Sequence, residues 1–139
     1  MTRINADIHP YDLSDQHLMA EYRELPMVPA ALRRSLRTKA REAVLRSVPE
    51  RFTLGKGHVT FWYDKLKFLD LRYKRLQKEL IARNFNIDPS RTSGCEGFSD
   101  EFYGDYAMSS RDLKIINERL SSRIDMKPGW YKHYHQSIV

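Results

Sequence analysis

Between Trp62 and Leu80 an apolar side chain returns every three or four residues, as Trp62, Leu66, Leu69, Tyr73, Leu76 and Leu80. Only a helix turns such a row to one side, so the spacing predicts a core helix over about 60–83, with Lys65, Lys67, Arg72, Lys74, Arg75 and Lys78 around it. Leu18, Tyr22, Leu25, Leu32 and Leu36 predict a second helix over about 14–37, capped by Ser14 or Asp12 and kinked after Glu24 by Pro26 and Pro29. Leu113, Ile116, Leu120 and Ile124 form the stripe of a third, opened by Ser109 with Asp112 and stopped by Pro128 and Gly129. No stretch alternates with period two for long enough to build a sheet. The expectation is an all-α, single compact domain of three main helices, spanning residues 1–139, with long ordered loops and an N-terminal arm. The long non-helical pieces are 1–13, about 38–59 and about 86–108, and Phe98, Phe102, Tyr103 and Tyr106 are expected to pin the last to the body.

Charge is unevenly placed along the 139 residues. The chain carries a net +6, yet residues 33–56 hold eight basic against two acidic residues, while 86–112 hold two against six. Residues 57–85 add a further excess of basic charge, seven against three. Such asymmetry favours a polyanionic partner, most commonly nucleic acid. A lone Cys95 forms no internal disulfide, and no apolar run approaches the ~18 residues that a bilayer span needs. A soluble protein of a reducing compartment is expected, with no membrane partner.

Several chemistries find no support. Five histidines are scattered, and His133 and His135, the only close pair, have no cysteine or carboxylate at zinc spacing. Neither a metal nor a cofactor is expected. Cys95 lies in an acidic loop with nothing to lower its pKa, and the GKG at 55–57 lacks the remainder of a phosphate loop. By contrast, the opening MTRIN places a small residue second, the context in which the initiator methionine is usually removed. Thr2 would then carry an α-amine whose ordinary pKa, ~7.7–8.0, leaves roughly one molecule in seven neutral and nucleophilic at pH 7.

With MTRIN at the start, the segment DQHLMAEYRELP at 15–26 resembles the phage-type pyrimidine-dimer DNA glycosylase and AP lyase family, the dimer-specific endonuclease V family. GKGHVTFWYDKLKFL (55–69), FNI (85–87), EFYGDY (101–106), the Arg119 and Arg123 pair and PGWYKHYH (128–135) follow in the family's order at nearly its spacing. The resemblance covers nearly the whole chain and is weakest at about 30–50 and 88–99. It implies a metal-independent enzyme acting on ultraviolet-damaged double-stranded DNA. In that family the terminal amine attacks C1′ of the 5′ nucleotide of a cyclobutane dimer, expels the base and leaves an imine, after which β-elimination cuts the strand. Carried onto this chain, the nucleophile is the amine of Thr2 and the assisting carboxylate is Glu24. Arg3, Gln16, His17, Arg23, Arg119, Arg123, Trp130 and Lys132 fall at DNA-binding positions, with Trp130 weighed equally as a seal of the helical core.

The residue types suit that chemistry. An amine that displaces the base leaves an imine that acidifies the neighbouring C2′ proton, and a carboxylate beside the sugar offsets its developing positive charge. One position departs from the family pattern: Met27 follows Pro26 where the phage motif has an arginine that contacts the damaged strand. Two alternatives stay open, a DNA-binding scaffold without catalysis if Met1 is retained, and a glycosylase of the same mechanism for oxidised purines. A monomer in the cytoplasm of a bacterial or phage-infected cell is expected.

Overall fold

Pro26 has no amide hydrogen to give to Tyr22, and the computed structural model, which describes residues 4–137, breaks the first predicted helix there. Two helices replace the single kinked one, α1 (Asp15–Glu24) and α2 (Met27–Thr38), separated by Leu25 and Pro26. Pro29 falls in the first turn of α2, where its missing N–H had no intrahelical partner to lose. A short helix, α3 (Arg41–Arg46), occupies part of the stretch expected to be a loop at 38–59. The all-α expectation holds, but among the described residues there are four longer helices rather than three, the others being α4 (Leu66–Ala82) and α5 (Ser110–Met126).

The core helix α4 starts later than its periodicity suggests. Thr60–Trp62 form a separate 3₁₀ turn, and the chain at Gly104 wedges in after it: Gly104 N donates to Asp64 O at 2.9 Å and Phe68 N donates to Gly104 O at 3.3 Å. A β-carbon on residue 104 would stand 2.3 Å from the Asp64 carbonyl oxygen, so only glycine permits this approach. The loop at 86–108 is pinned as expected. Phe102 is fully buried, Tyr103 donates its hydroxyl to Cys95 O, and Arg33 reaches across to Gly94 O and Glu96 O at 2.7 and 2.8 Å while covering the Phe98 ring.

Leu18 from α1, Leu25 between the helices, Val28 and Leu32 from α2, and Leu66, Leu69, Leu76 and Leu80 from α4 are completely buried and share one core cluster with Trp62. At roughly 1.5–3 kcal/mol for each large side chain, this cluster supplies the main drive to fold. Tyr22 of α1 stacks on Tyr73 of α4, ring centroids 4.8 Å apart. Burial pushes the Cys95 thiol up to about 11, which leaves it a protonated core residue at neutral pH. Among the described residues no helix is long and apolar enough to cross a membrane.

Two arginines counted in the basic excess of residues 57–85 lie inside the protein. Arg72 stands three residues after Leu69 and four before Leu76, hence on the buried stripe, and its guanidinium grips the Glu21 carboxylate through Nε at 2.7 Å and Nη2 at 3.0 Å. Arg83 is bound by Asp15 at 2.8 Å and Glu79 at 2.9 Å. Their charges are neutralised internally, so residues 57–85 present less positive surface than their composition implies.

After α5 the chain forms a minimal hairpin, β1 (Lys132–His133) with β2 (Gln136–Ser137). Its two-residue turn holds Tyr134 at φ 50° and His135 at φ 66°, both in the left-handed region that most side chains avoid. Asp15 makes the turn tolerable by accepting both turn amides, Tyr134 N at 3.0 Å and His135 N at 2.7 Å. The Tyr134 hydroxyl adds a bond to Glu79 at 2.6 Å, and His135 Nε2–H donates to Arg83 O at 2.7 Å.

Candidate active site

Ser14 caps α1, its hydroxyl oxygen accepting from His17 N at 3.1 Å and lying 2.9 Å from His17 Nδ1. The cap fixes the His17 ring in the first turn, where Tyr131 stacks on it with centroids 4.5 Å apart. Three and seven residues after His17, on the same face of the helix, come Ala20 and Glu24. A cavity of about 220 Å³ opens over the first part of this face. Its walls include His17 and Ala20 from α1, Asn5 from the arm, Arg119 and Arg123 from α5, and Trp130 and Tyr131 from the segment that follows.

A second cavity, of about 490 Å³, lies on the other side of Ala20 and Trp130. Gln16, Arg23 and Lys132 line it together with Met19, Phe85 and His135. The two cavities thus share a rim, and Trp130 is half exposed on it, with the Lys127 ammonium 4.7 Å from its ring centroid. Core sealing, weighed for Trp130, falls to its neighbour Tyr131, which is buried against His17.

Four of the sequence-derived positions, His17, Arg119, Arg123 and Trp130, therefore meet at the first cavity, and Gln16, Arg23, Trp130 and Lys132 at the second. Glu24 is half-buried at the end of α1, one turn past Ala20 and outside both linings. Thr2 and Arg3 lie outside the described residues. The Gln16 amide is engaged within the protein, donating to Trp130 O at 2.6 Å and accepting from Lys132 N at 2.9 Å. It therefore orients the residues on the rim as much as it offers itself to a ligand.

Sequence reasoning missed Asn5, Glu21 and Tyr131. Asn5 is buried between α1 and α5, donating to Glu21 Oε1 at 2.9 Å and accepting from Arg119 Nη2 at 2.5 Å. Its only signal was its place in the opening MTRIN. Chemically, the first cavity combines a cationic wall, from Arg119, Arg123 and Lys127, with aromatic faces and a concave floor. That combination suits a phosphodiester flanked by a sugar and base.

Comparison with known families agrees with this chemistry. A sequence profile described as pyrimidine dimer DNA glycosylase matches residues 1–93, which include the arm, α1 and α4 and stop short of α5. The segment that carries His17, Arg23 and Glu24 thus falls within the match, whereas Arg119, Arg123, Trp130 and Lys132 join it through the fold. The chain belongs to the pyrimidine dimer DNA glycosylase family, enzymes of DNA repair whose substrate is DNA.

Proposed function

We propose that the chain removes the 5′ base of a cyclobutane pyrimidine dimer through an imine on its terminal amine and then cuts the strand by β-elimination. The observation that carries this reading is the cationic cavity walled by Asn5, His17, Arg119 and Arg123. Asn5 is only three positions from Thr2, so the connecting chain has a reach of at most about 11 Å. After removal of Met1, the Thr2 amine attacks C1′ and the base departs with the bonding electron pair, taking up a proton. The attached amine gives up a proton, and its lone pair forms the iminium as the C1′–O4′ bond breaks, O4′ leaving with that electron pair and taking up a proton so that the sugar ring opens. Glu24 stabilises the cationic sugar and accepts the C2′ proton, and the electrons released expel the 3′ phosphate. Arg3, Arg23, Arg119, Arg123 and Lys132 hold phosphates, while His17, Gln16 and Trp130 shape the space around the nucleotide.

Reduction by borohydride during turnover tests the first step. A covalent protein–DNA adduct is expected on dimer-containing duplex, mapped by mass spectrometry to Thr2, together with an intact mass one methionine short. Blocking the terminal amine abolishes the adduct. An adduct that persists and maps to a lysine overturns the assignment.

Met27 is half exposed in the first turn of α2, three residues beyond Glu24. Met27→Arg is expected to strengthen binding to dimer DNA by up to ~2 kcal/mol at low salt, through a restored charge-assisted contact. Dimer and abasic-site cleavage measured side by side check this. A selective loss on the dimer with abasic cleavage intact would instead indicate a site rebuilt around the thioether for another lesion.

A further inference from the structure

Between the arm and the cationic wall stands a single uncharged side chain whose two ends face opposite charges. Asn5 is 1% exposed, donates to the Glu21 carboxylate at 2.9 Å and accepts from the Arg119 guanidinium at 2.5 Å. Glu21 is itself completely buried and held by Arg72, which also donates through Nη1 to Ile8 O at 2.6 Å and Ala6 O at 3.3 Å. The arm folds back on this point, with Ile8 N donating to Asn5 O at 3.0 Å. A continuous chain of bonds therefore runs from α4 through α1 and the arm to α5: Arg72, Glu21, Asn5, Arg119.

The charges fix what residue can occupy the link. An ionised glutamate only accepts and a guanidinium only donates, so the side chain between them must offer one donor and one acceptor. The asparagine amide does so with its orientation determined. Aspartate at the same size would offer acceptors to both, leaving a second carboxylate against Glu21. We propose that Asn5 is a positioning residue for the glycosylase reaction: it sets the base of the amine-bearing arm and the Arg119 guanidinium in one register, so that nucleophile and phosphate contact move as a unit. This rests on the amine chemistry proposed above.

Asn5→Asp supplies a test that a merely structural role does not pass, because a protonated carboxyl regains the missing donor. A proton on either the introduced carboxylate or Glu21 restores one donor between the two oxygens. The other charged or titratable groups facing the site are Arg72 from α4, His17 from α1, Arg119, Arg123 and Lys127 from α5 and the residue after it, and Tyr131. Single-turnover imine trapping on abasic-site duplex is measured from pH 5 to 8.5 and expressed as the ratio of variant to wild type at each pH, which cancels titration of the amine itself. The ratio is expected to be about 0.01 at pH 8 and to rise at least tenfold towards pH 5, while the dissociation constant for the duplex shifts by less than about threefold. A ratio that stays flat with pH, or near one throughout, overturns the proposal. Asn5→Ser, which reaches neither partner and adds no charge, covers the case of an aspartate variant that does not fold: its trapping falls at every pH without acid recovery, and wild-type trapping overturns the proposal. If wild-type protein itself traps no imine, the failure belongs to the proposed reaction and not to Asn5.

Discussion

Glu24→Gln is expected to lower strand cleavage by about three orders of magnitude or more while leaving dimer-containing DNA bound as tightly as before, or more tightly. Glutamine keeps the size and hydrogen-bonding capacity of the half-buried side chain but removes the charge that, in the proposed mechanism, offsets the sugar cation and the base that accepts the C2′ proton. Losing an electrostatic stabiliser alone typically costs about 10²–10³, and a general base contributes about as much again. Binding is preserved because a negative charge near phosphates hinders the ground state, and its removal reduces kcat without raising Kd. Single-turnover cleavage and fluorescence anisotropy on the same duplex check both halves. Parallel loss of binding and of thermal stability would make Glu24 structural.

The largest stability effect is expected at Arg72. Arg72→Met leaves the fully buried Glu21 carboxylate without its bidentate partner and frees the carbonyls of Ala6 and Ile8. Breaking a buried pair from one side costs about 3–5 kcal/mol, a large part of the ~5–15 kcal/mol that holds a domain together. A fall in Tm of more than about 10 °C by calorimetry follows for a domain of this size. Adding Glu21→Leu to Arg72→Met removes the stranded charge, and the double variant is expected to melt above Arg72→Met alone. The recovery is partial, since Asn5 then loses the acceptor for its Nδ2. A double variant no better than the single one would show that the packing of Arg72, rather than its charge, is what matters.

Where local rules govern, the chain could be read directly. Ser14 and Ser109 cap α1 and α5 as their positions suggest, Ser109 accepting from Asp112 N at 3.1 Å, and of the expected stripes Leu18, Tyr22, Leu25, Leu32, Leu66, Leu69, Leu76 and Leu80 are buried while Leu36 is half-buried. The break at Pro26 was visible as a proline, but whether it bends a helix or ends it depends on whether Leu25 can bury itself between two helices, which no local rule decides. Arg72 and Arg83 count as basic residues in any composition, and only the carboxylates that face them from α1 reveal them as core groups. The hairpin after Tyr131 lacked every usual signal. Tyr134 and His135 take the turn positions that glycine or asparagine normally fill, because a carboxylate elsewhere in the chain holds their amides. For the site, the resemblance supplied candidate residues but not their neighbours. Nothing in the sequence joins Gln16 to Trp130 or Asn5 to Arg119, pairs each separated by 114 positions.

Those separations give α1 a place in time as well as in space. Its first turns receive the arm from one end of the described chain and the hairpin from the other, the bond from Asp15 to His135 spanning 120 residues. At ~5–20 residues per second of synthesis, α1 waits about 6–22 s after its own completion before the last partner is made. During that interval it can pack on α4, since Tyr22 needs only Tyr73, but both cavities lack a wall. A chain interrupted before Trp130 would therefore keep much of its core and have no enclosed place for a nucleotide. Both cavities therefore close only once the segment from Trp130 to His135 has been made.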